Sequence, residues 1–276
     1  MITIKEYRKA ESLEEAWQLN QKRSNRVIGG MVWLKMCRQN VQTAIDLSGL
    51  GLDGIEERED CFSIGCMVTL RQLETHYGLD QYSSGAVREA LRHIVGVQFR
   101  NVATVGGSLY GRYGFSDVLT VFMAMDAQVE LYKGGLIPLR DFAEMPYDRD
   151  ILVRVLVKKT PGAYFYQSVR TTDTDFPVLT CGAALTGEGL RVCIGARPGK
   201  AVLLTDENGL LQAPFTEEKV KQIAAYASRH IPTGSNLRGS AQYRTHLTQV
   251  LTKRAAEHLI RTAVGDAASD RKESEP

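Results

Sequence analysis

The sequence lacks any apolar run approaching the roughly 18 residues that a membrane-spanning helix needs. Its opening, Met-Ile-Thr-Ile-Lys-Glu-Tyr, also lacks the charged-then-apolar order of a secretory signal. A cytoplasmic protein with no membrane partner is therefore expected. No two cysteines stand in CxxC spacing. The five present (Cys37, Cys61, Cys66, Cys181, Cys193) are scattered, so a thiolate zinc or iron–sulfur site within the chain is not expected. Most lie in apolar strand-like runs and read as buried structural thiols. The five histidines (His76, His93, His230, His246, His258) form no HExxH or paired-ligand pattern, and there is no GxSxG, P-loop or kinase set. Charge of one sign is also missing. Lys and Arg number 34 against 32 Asp and Glu, giving net +2 with no basic cluster, which argues against a nucleic-acid partner.

What remains is an ordinary globular composition, 43% hydrophobic over 276 residues, enough for one large or two moderate domains. Ser12 and Glu15 form a capping-box pattern ahead of a helix over about Leu13–Leu19. A short strand at Arg26–Ile28 ends on Gly29-Gly30. Strands are expected at Ala44–Leu47 and through Phe62 and Ile64, and a Thr69-capped helix contains Leu70 and Leu73. A helix over about Gly85–Val95 precedes a loop at Asn101–Gly114, a buried helix at Val118–Met125 and a strand at Gln128–Tyr132. From Ile151 the pattern changes to antiparallel, half-exposed strands: Ile151–Lys158, Ala163–Val169, Val178–Leu185 and Leu190–Ala196. Two helices follow, one capped by Thr216 and one over about Ala241–Thr262. Strands followed by a helix pair indicate a separate α+β domain.

Three glycine motifs invite a nucleotide. Gly49-Leu-Gly51-Leu-Asp-Gly54 satisfies GxGxxG, but the charged Ile55-Glu-Glu-Arg-Glu-Asp60 follows where a crossover helix is required. It reads as a plain turn between strands. Val27-Ile28-Gly29-Gly30-Met31-Val32-Trp33 runs a strand into paired glycines, where no Cβ obstructs a ligand and successive amides can hold an anion; a plain tight turn is the alternative. Thr104-Val105-Gly106-Gly107-Ser108 repeats the device with two flanking hydroxyls. Two such loops suit the two phosphates of a dinucleotide, and two unrelated turns remain the other reading. Asp117 is either an N-cap or a carboxylate that accepts from ribityl hydroxyls. Thr171-Thr-Asp-Thr-Asp175 reads as a solvated turn rather than a calcium loop.

Together these stretches resemble the FAD-binding medium subunit of molybdenum hydroxylases, the group of xanthine and carbon monoxide dehydrogenases. Arg100-Asn-Val-Ala-Thr-Val-Gly-Gly107 carries the resemblance most specifically. It is supported by Ser12-Leu-Glu-Glu-Ala16, Ile28-Gly-Gly30, Ile64-Gly-Cys-Met-Val-Thr-Leu70, Ser116-Asp-Val-Leu, Met123-Ala-Met-Asp-Ala127, Asp175-Phe-Pro, Thr180-Cys-Gly-Ala-Ala-Leu185 and Leu237-Arg-Gly-Ser-Ala-Gln-Tyr-Arg244. The resemblance implies an α+β, two-subdomain FAD-binding fold of the PCMH type, as in vanillyl-alcohol oxidase-like flavoproteins, followed by a small α+β domain with an antiparallel sheet and helices. The implied divisions are 1–158, split at about 1–55 and 56–158, then 159–264, with a disordered tail at 265–276.

It further implies that Val27 to Trp33 and Thr104 to Ser108 wrap the FAD pyrophosphate and ribityl chain, that Asp117 bonds the ribityl or ring region, and that Leu152 and Gln167 lie beside the isoalloxazine. No catalytic side chain is implied. The implied partners are a large subunit with the molybdopterin cofactor and a small subunit with [2Fe-2S] clusters, in a complex that dimerises, with NAD or another acceptor taking the electrons. The chain departs from the family at Met31 and Val32, where Thr and an acidic residue are usual, and at Ser108, usually Asn. Arg112-Tyr-Gly-Phe-Ser116 replaces a small-residue stretch, which puts Arg112, Tyr113 and Phe115 in a position to cover the ring. Gln167 replaces a Lys, which removes a positive charge near the flavin and implies a lowered potential. A flavin-free assembly subunit of the same complex is the alternative those departures raise. A stand-alone flavoenzyme would need a substrate acid that the sequence does not offer.

Overall fold

The structure is a computed structural model describing residues 1–206 and 208–273, with side chains through 263. In chain order its elements are β1 (Thr3–Lys9), α1 (Leu13–Asn20), β2 (Arg26–Ile28), β3 (Asn40–Asp46), β4 (Ile55–Glu57), β5 (Cys61–Gly65), α2 (Leu70–Thr75), α3 (Tyr77–Tyr82), α4 (Ala86–Arg92), α5 (Val97–Arg100), α6 (Val105–Tyr110) and α7 (Asp117–Ala124). They continue with β6 (Gln128–Leu131), β7 (Gly135–Pro138), α8 (Leu139–Glu144), β8 (Leu152–Lys158), β9 (Gly162–Arg170), β10 (Pro177–Thr186), β11 (Gly189–Gly195), β12 (Val202–Leu203), α9 (Glu217–His230) and α10 (Ala241–Glu273).

Two compact units share these elements. The first comprises Met1–His76, Ile94–Arg112 and Asp126–Lys159, and the second Tyr77–His93, Tyr113–Met125 and Thr160–Pro276. The first unit holds a parallel sheet of order β1-β3-β2 and a five-stranded antiparallel sheet of order β4-β5-β8-β6-β7. In β8, Val153, Val155 and Val157 alternate into the core, as a period-2 strand requires. The Ser12 hydroxyl caps α1 by accepting from Glu15 N at 3.1 Å. The Glu15 carboxylate bonds Glu11 N rather than Ser12 N, so that capping box closes only on one side. Thr69 and Gln72 form a complete box on α2.

The second unit is built on a sheet of order β12-β11-β10-β9. A half-exposed β10 was expected, but Pro177–Ala184 is buried throughout. Leu179, Cys181 and Ala183 pack with Val220, Ile223 and Ala227 of α9 and Leu247, Leu251 and Leu259 of α10. The opposite face takes α7, where Thr120 Oγ1 lies 3.0 Å from Thr180 Oγ1. A sheet covered on both faces has no polar side to alternate. This is why α4 and α7, which precede the expected boundary at 158, belong with the second unit.

The GxGxxG stretch is a turn between β3 and β4, as its sequence suggests. The loop expected at Asn101–Gly114 instead contains α6, capped by Thr104. α10 runs through most of the stretch expected as a disordered tail at 265–276; side chains from 264 on, and residues 274–276 altogether, lie outside the described residues.

Buried Arg244 ties the entry of α10 to the sheet. Its guanidinium donates to the carbonyls of Val178, Gly234 and Gly239 and to Asn236 Oδ1. Replacing it with Met strands these acceptors, at roughly 1 kcal/mol or more each. Arg244→Met should therefore lower unfolding free energy by about 3 kcal/mol in urea denaturation.

Candidate functional site

The second glycine loop is fixed on two sides by backbone. Leu70 N donates to Ala103 O at 2.8 Å, Val105 N to Val68 O at 2.9 Å and Gly106 N to Cys66 O at 2.8 Å. These bonds stitch residues 103–106 to the segment between β5 and α2. A Cβ on Gly106 would stand 2.8 Å from both Cys66 Cβ and Cys66 O, so only glycine permits the approach. Arg100, which opens the motif, is buried and makes a forked pair with buried Glu74 at 2.8 and 3.3 Å. Burial pushes the Glu74 carboxyl up, but Arg100 and Arg71 hold it net below its ordinary range.

The amides of this loop were expected to face phosphates. The structure uses them internally. Besides Val105 N and Gly106 N, Gly107 N donates to Thr104 Oγ1 at 3.1 Å and Ser108 N to Thr104 O at 3.0 Å. Ser108 Oγ also donates to Thr104 O. Thr104 Oγ1 accepts from Gly107, which leaves that hydroxyl's own proton for another acceptor.

The first loop differs. Its glycines bring it against the second: a Cβ on Gly30 would lie 1.8 Å from Val102 O, and one on Gly29 would lie 2.5 Å from Thr104 Oγ1. The two motifs are thus one juxtaposed pair, as the dinucleotide reading requires. Met31 has a left-handed backbone (φ 56°), uncommon for a non-glycine residue. Among the described residues, the amides of Gly30, Met31 and Val32 donate to no protein acceptor, while Met31 O accepts from Lys35 N. Consecutive free amides around a left-handed residue are what an anion-binding nest is made from. Val27 and Ile28 lie in β2, and Trp33 packs edge-on against Phe99.

The remaining expected residues fall elsewhere. Leu152 is buried in β8, in register with Leu131. Asp117 and Gln167 belong to the second unit. The cap of α7 is Ser116, whose hydroxyl accepts from Leu119 N, so Asp117 is not the N-cap. Asp117 is buried, and its Oδ1 accepts from Arg170 Nη2 and Tyr166 Oη, each at 2.5 Å. Burial drives its carboxyl upward and drives the Tyr166 phenol well above its ordinary range. Gln167 pairs in register with Cys181. Tyr113 and Phe115 stack on each other, with rings 5.2 Å apart. Arg112, expected near a ring to be covered, is instead buried among the aromatic side chains of Tyr110, Phe142 and Tyr147. Sequence reasoning missed the structural use of the Thr104–Ser108 amides and of Cys66–Leu70. The hint was present, since Cys66–Leu70 lies inside a stretch already matched to the family. The segment Thr171–Asp175 is a bend and turn with Asp175 held by Arg238.

Residues 3–159 match the family model described as the FAD binding domain in molybdopterin dehydrogenase, and residues 163–259 match the CO dehydrogenase flavoprotein C-terminal domain. The chain belongs to the flavin-subunit family of the molybdenum hydroxylases. It is 26% identical over 254 residues to the uncharacterized protein YgfM of Escherichia coli (strain K12), covering 90% of this chain and 93% of that one. It is 25% identical over 292 residues to the xanthine dehydrogenase FAD-binding subunit of Escherichia coli O157:H7, covering 96% and 99%. The crystal structure of quinoline 2-oxidoreductase from Pseudomonas putida 86 superposes with TM-score 0.83 at 21% identity over 94% of this chain and 97% of that one, a likeness of fold. The flavin-subunit family binds FAD through this domain, and the free amides of Gly30 to Val32 beside the Thr104 hydroxyl suit that cofactor's pyrophosphate.

Among the described residues no group of three or more His, Cys, Asp or Glu is placed to hold a metal. Cys66, Cys181 and Cys193 are buried; burial pushes the first two thiols up to about 12 and Cys193 well above its ordinary range. Cys37 and Cys61 are half-buried. Native alkylation followed by mass measurement should therefore modify at most Cys37 and Cys61, and all five cysteines only after denaturation. The two glycine positions should also separate. Gly30→Ala forces the loops apart and should cost about 3 kcal/mol or more and abolish flavin uptake. Gly107→Ala meets only Thr104 Oγ1, at 3.2 Å, and should stay within about 1 kcal/mol of wild type and still take up FAD.

Proposed function

We propose that the chain is the FAD-binding electron-transfer subunit of a molybdenum-containing hydroxylase of xanthine dehydrogenase type. It serves between [2Fe-2S] clusters in a small partner subunit and NAD or another acceptor. A large partner carries the molybdopterin cofactor and selects the substrate. The assembly is cytoplasmic and dimerises. In support, none of the described helices is long and apolar enough to cross a membrane. Two of the similar proteins, the xanthine dehydrogenase FAD-binding subunit and quinoline 2-oxidoreductase, carry the names of oxidoreductases that differ in substrate.

The observation that carries this reading is the run of free amides at Gly30, Met31 and Val32, held against Val102 and Thr104 by glycine contacts. These amides donate to the pyrophosphate, and the Thr104 hydroxyl adds one more donor. When bound, FAD supplies the redox centre that the chain's own side chains lack. The protein's part is position and electrostatics. The amides of Gly30, left-handed Met31 and Val32 are the donors left to a ligand, and the backbone bonds of 103–106 keep the neighbouring loop from yielding. Leu152, Asp117 and Gln167 serve the flavin ring and ribityl chain in this reading.

An absorbance spectrum of the purified chain, with and without added FAD, tests it. Flavin bands that survive desalting are expected. Thr104→Val, which keeps the shape but removes the hydroxyl and the helix cap, should weaken FAD binding about tenfold and cost about 1 kcal/mol of stability. A wild-type chain that stays colourless with FAD and partner subunits present would overturn the reading in favour of a flavin-free assembly subunit.

A further inference from the structure

Among the described residues Arg100, Arg112 and Arg244 are buried and the Arg170 side chain is 7% exposed; all but Arg112 have acceptors at their terminal nitrogens. Arg100 meets Glu74 and Ile94 O. Arg170 meets Ser168, Asp175 O and Asp117. Arg244 meets three carbonyls and Asn236. Arg112 is only 2% exposed, yet its single bond runs from Nε to Phe142 O at 2.8 Å. Its Nη1 and Nη2 are buried with no acceptor.

Aromatic faces surround this guanidinium, with Phe142 at 4.0 Å, Tyr147 at 4.8 Å and Tyr110 at 5.3 Å from its central carbon. Such faces stabilise the cation through its charge. They leave the N–H edges of the guanidinium unmatched, because those donors point outward in its own plane. Arginine cannot shed its proton to relieve the deficit. A buried charge without hydrogen-bond acceptors is strongly disfavoured, so the site calls for an acceptor from outside. No described residue supplies one to Nη1 or Nη2, and Asp148 Oδ1 accepts instead from Tyr110 Oη and Asp150 N. The backbone at Arg112 is left-handed (φ 45°), a conformation that a long side chain adopts at a cost.

We propose that Arg112 is a receptor for a phosphate group, gripped bidentately by Nη1 and Nη2, with the Tyr147 ring as its movable cover. Two free nitrogens in one plane match two oxygens of a phosphate. Tyr147 is the accessible wall, 65% exposed and held by one bond from its hydroxyl to Gly111 O. The phosphate has two possible sources. One is the flavin dinucleotide, since Arg112 follows α6 directly and belongs to the same unit as Gly30 to Val32; this source rests on the function proposed above. The other is free inorganic phosphate or pyrophosphate, which needs no flavin.

The test titrates FAD, riboflavin and inorganic pyrophosphate into the full chain and its Arg112→Met, Arg112→Lys and Tyr147→Ala variants, by calorimetry and flavin fluorescence, with melting temperatures measured alongside. Wild type should bind pyrophosphate, or prefer FAD over riboflavin, through a term that Arg112→Met weakens at least tenfold and Arg112→Lys only in part. Tyr147→Ala should speed phosphate entry without loss of affinity. A loss confined to FAD, with riboflavin binding unchanged, assigns the phosphate to the dinucleotide; a loss of pyrophosphate binding alone assigns it to the free ion. Equal affinities of wild type and Arg112→Met for all three ligands would overturn the proposal, even if the variant melts lower. Should Arg112→Met fail to fold, absence of pyrophosphate binding in wild type together with unchanged FAD affinity in Arg112→Lys would overturn it equally. Wild type that binds pyrophosphate through Arg112 but takes up no flavin would sink the flavin reading and leave this one standing.

Discussion

Val102 O lies 1.8 Å from where a Cβ of residue 30 would stand, and this exclusion governs the first unit. The chain at 102–106 is flanked on one side by Gly29-Gly30, in close approach, and on the other by Cys66–Leu70, with backbone amides and carbonyls bonded directly on the latter side. At Gly30 and Gly106 there is no room for a side chain, since a Cβ would meet Val102 O in the first case and Cys66 in the second. The consequence is rigidity where a ligand loop needs it. With the amides of 105–108 spent on internal partners, they cannot also serve a phosphate. The free donors therefore concentrate on Gly30 to Val32, and the second loop acts as the wall that holds them in place. Glycine's usual explanation, room for a ligand, gives way here to room for the neighbouring strand of protein.

The second unit obeys a different rule. Its sheet must be covered twice, and the second cover is α7, drawn from the middle of the chain. Gly182 and Gly195 admit it closely, since a Cβ would stand 2.9 Å from Thr120 O in the first case and 2.3 Å from Thr120 Oγ1 in the second. The start of α7 carries Asp117, which meets Arg170 of β9 and so ties helix to sheet with a buried charge pair. Removing either partner would strand a charge in the core, so the pair fixes the docking of α7 as firmly as the apolar contacts do.

Much of this was legible. Element positions followed from caps and periodicity: Ser12, Thr69 and Thr216 start helices where their hydroxyls predict, and Arg26–Ile28 is a strand ending on the expected glycines. The pairing of the two glycine loops was also readable, because both follow the same pattern of apolar residues, paired glycines and flanking polar groups. What escaped were facts about partners far apart in the chain. Val-Leu-Thr-Cys-Gly-Ala-Ala-Leu at 178–185 has no strict alternation, yet nothing local says that a helix sixty residues earlier covers its second face. Likewise the helix inside 101–114 was hidden by its two glycines, whose poor helix propensity is overridden by contact with Cys66.

The electrostatics of the candidate site follow from where charge is already spent. Where the resemblance leads one to expect an acidic residue and a lysine stand Val32 and Gln167, both neutral. Asp117 is ionically matched by Arg170 inside its own unit. In the function proposed here the first loop would hold an anion by backbone dipoles rather than by a side-chain charge, an arrangement that costs no pairing with a counter-ion before the ligand arrives. A dipole nest alone favours binding but leaves the ligand's full negative charge unbalanced. In the first unit Arg112 is the buried cation whose terminal nitrogens have no protein acceptor, while buried Arg100 is consumed by Glu74. Neutral loop, spent aspartate and unmatched arginine thus form one pattern: in the first unit the buried charge left without acceptors at its terminal nitrogens is Arg112, set among three aromatic rings.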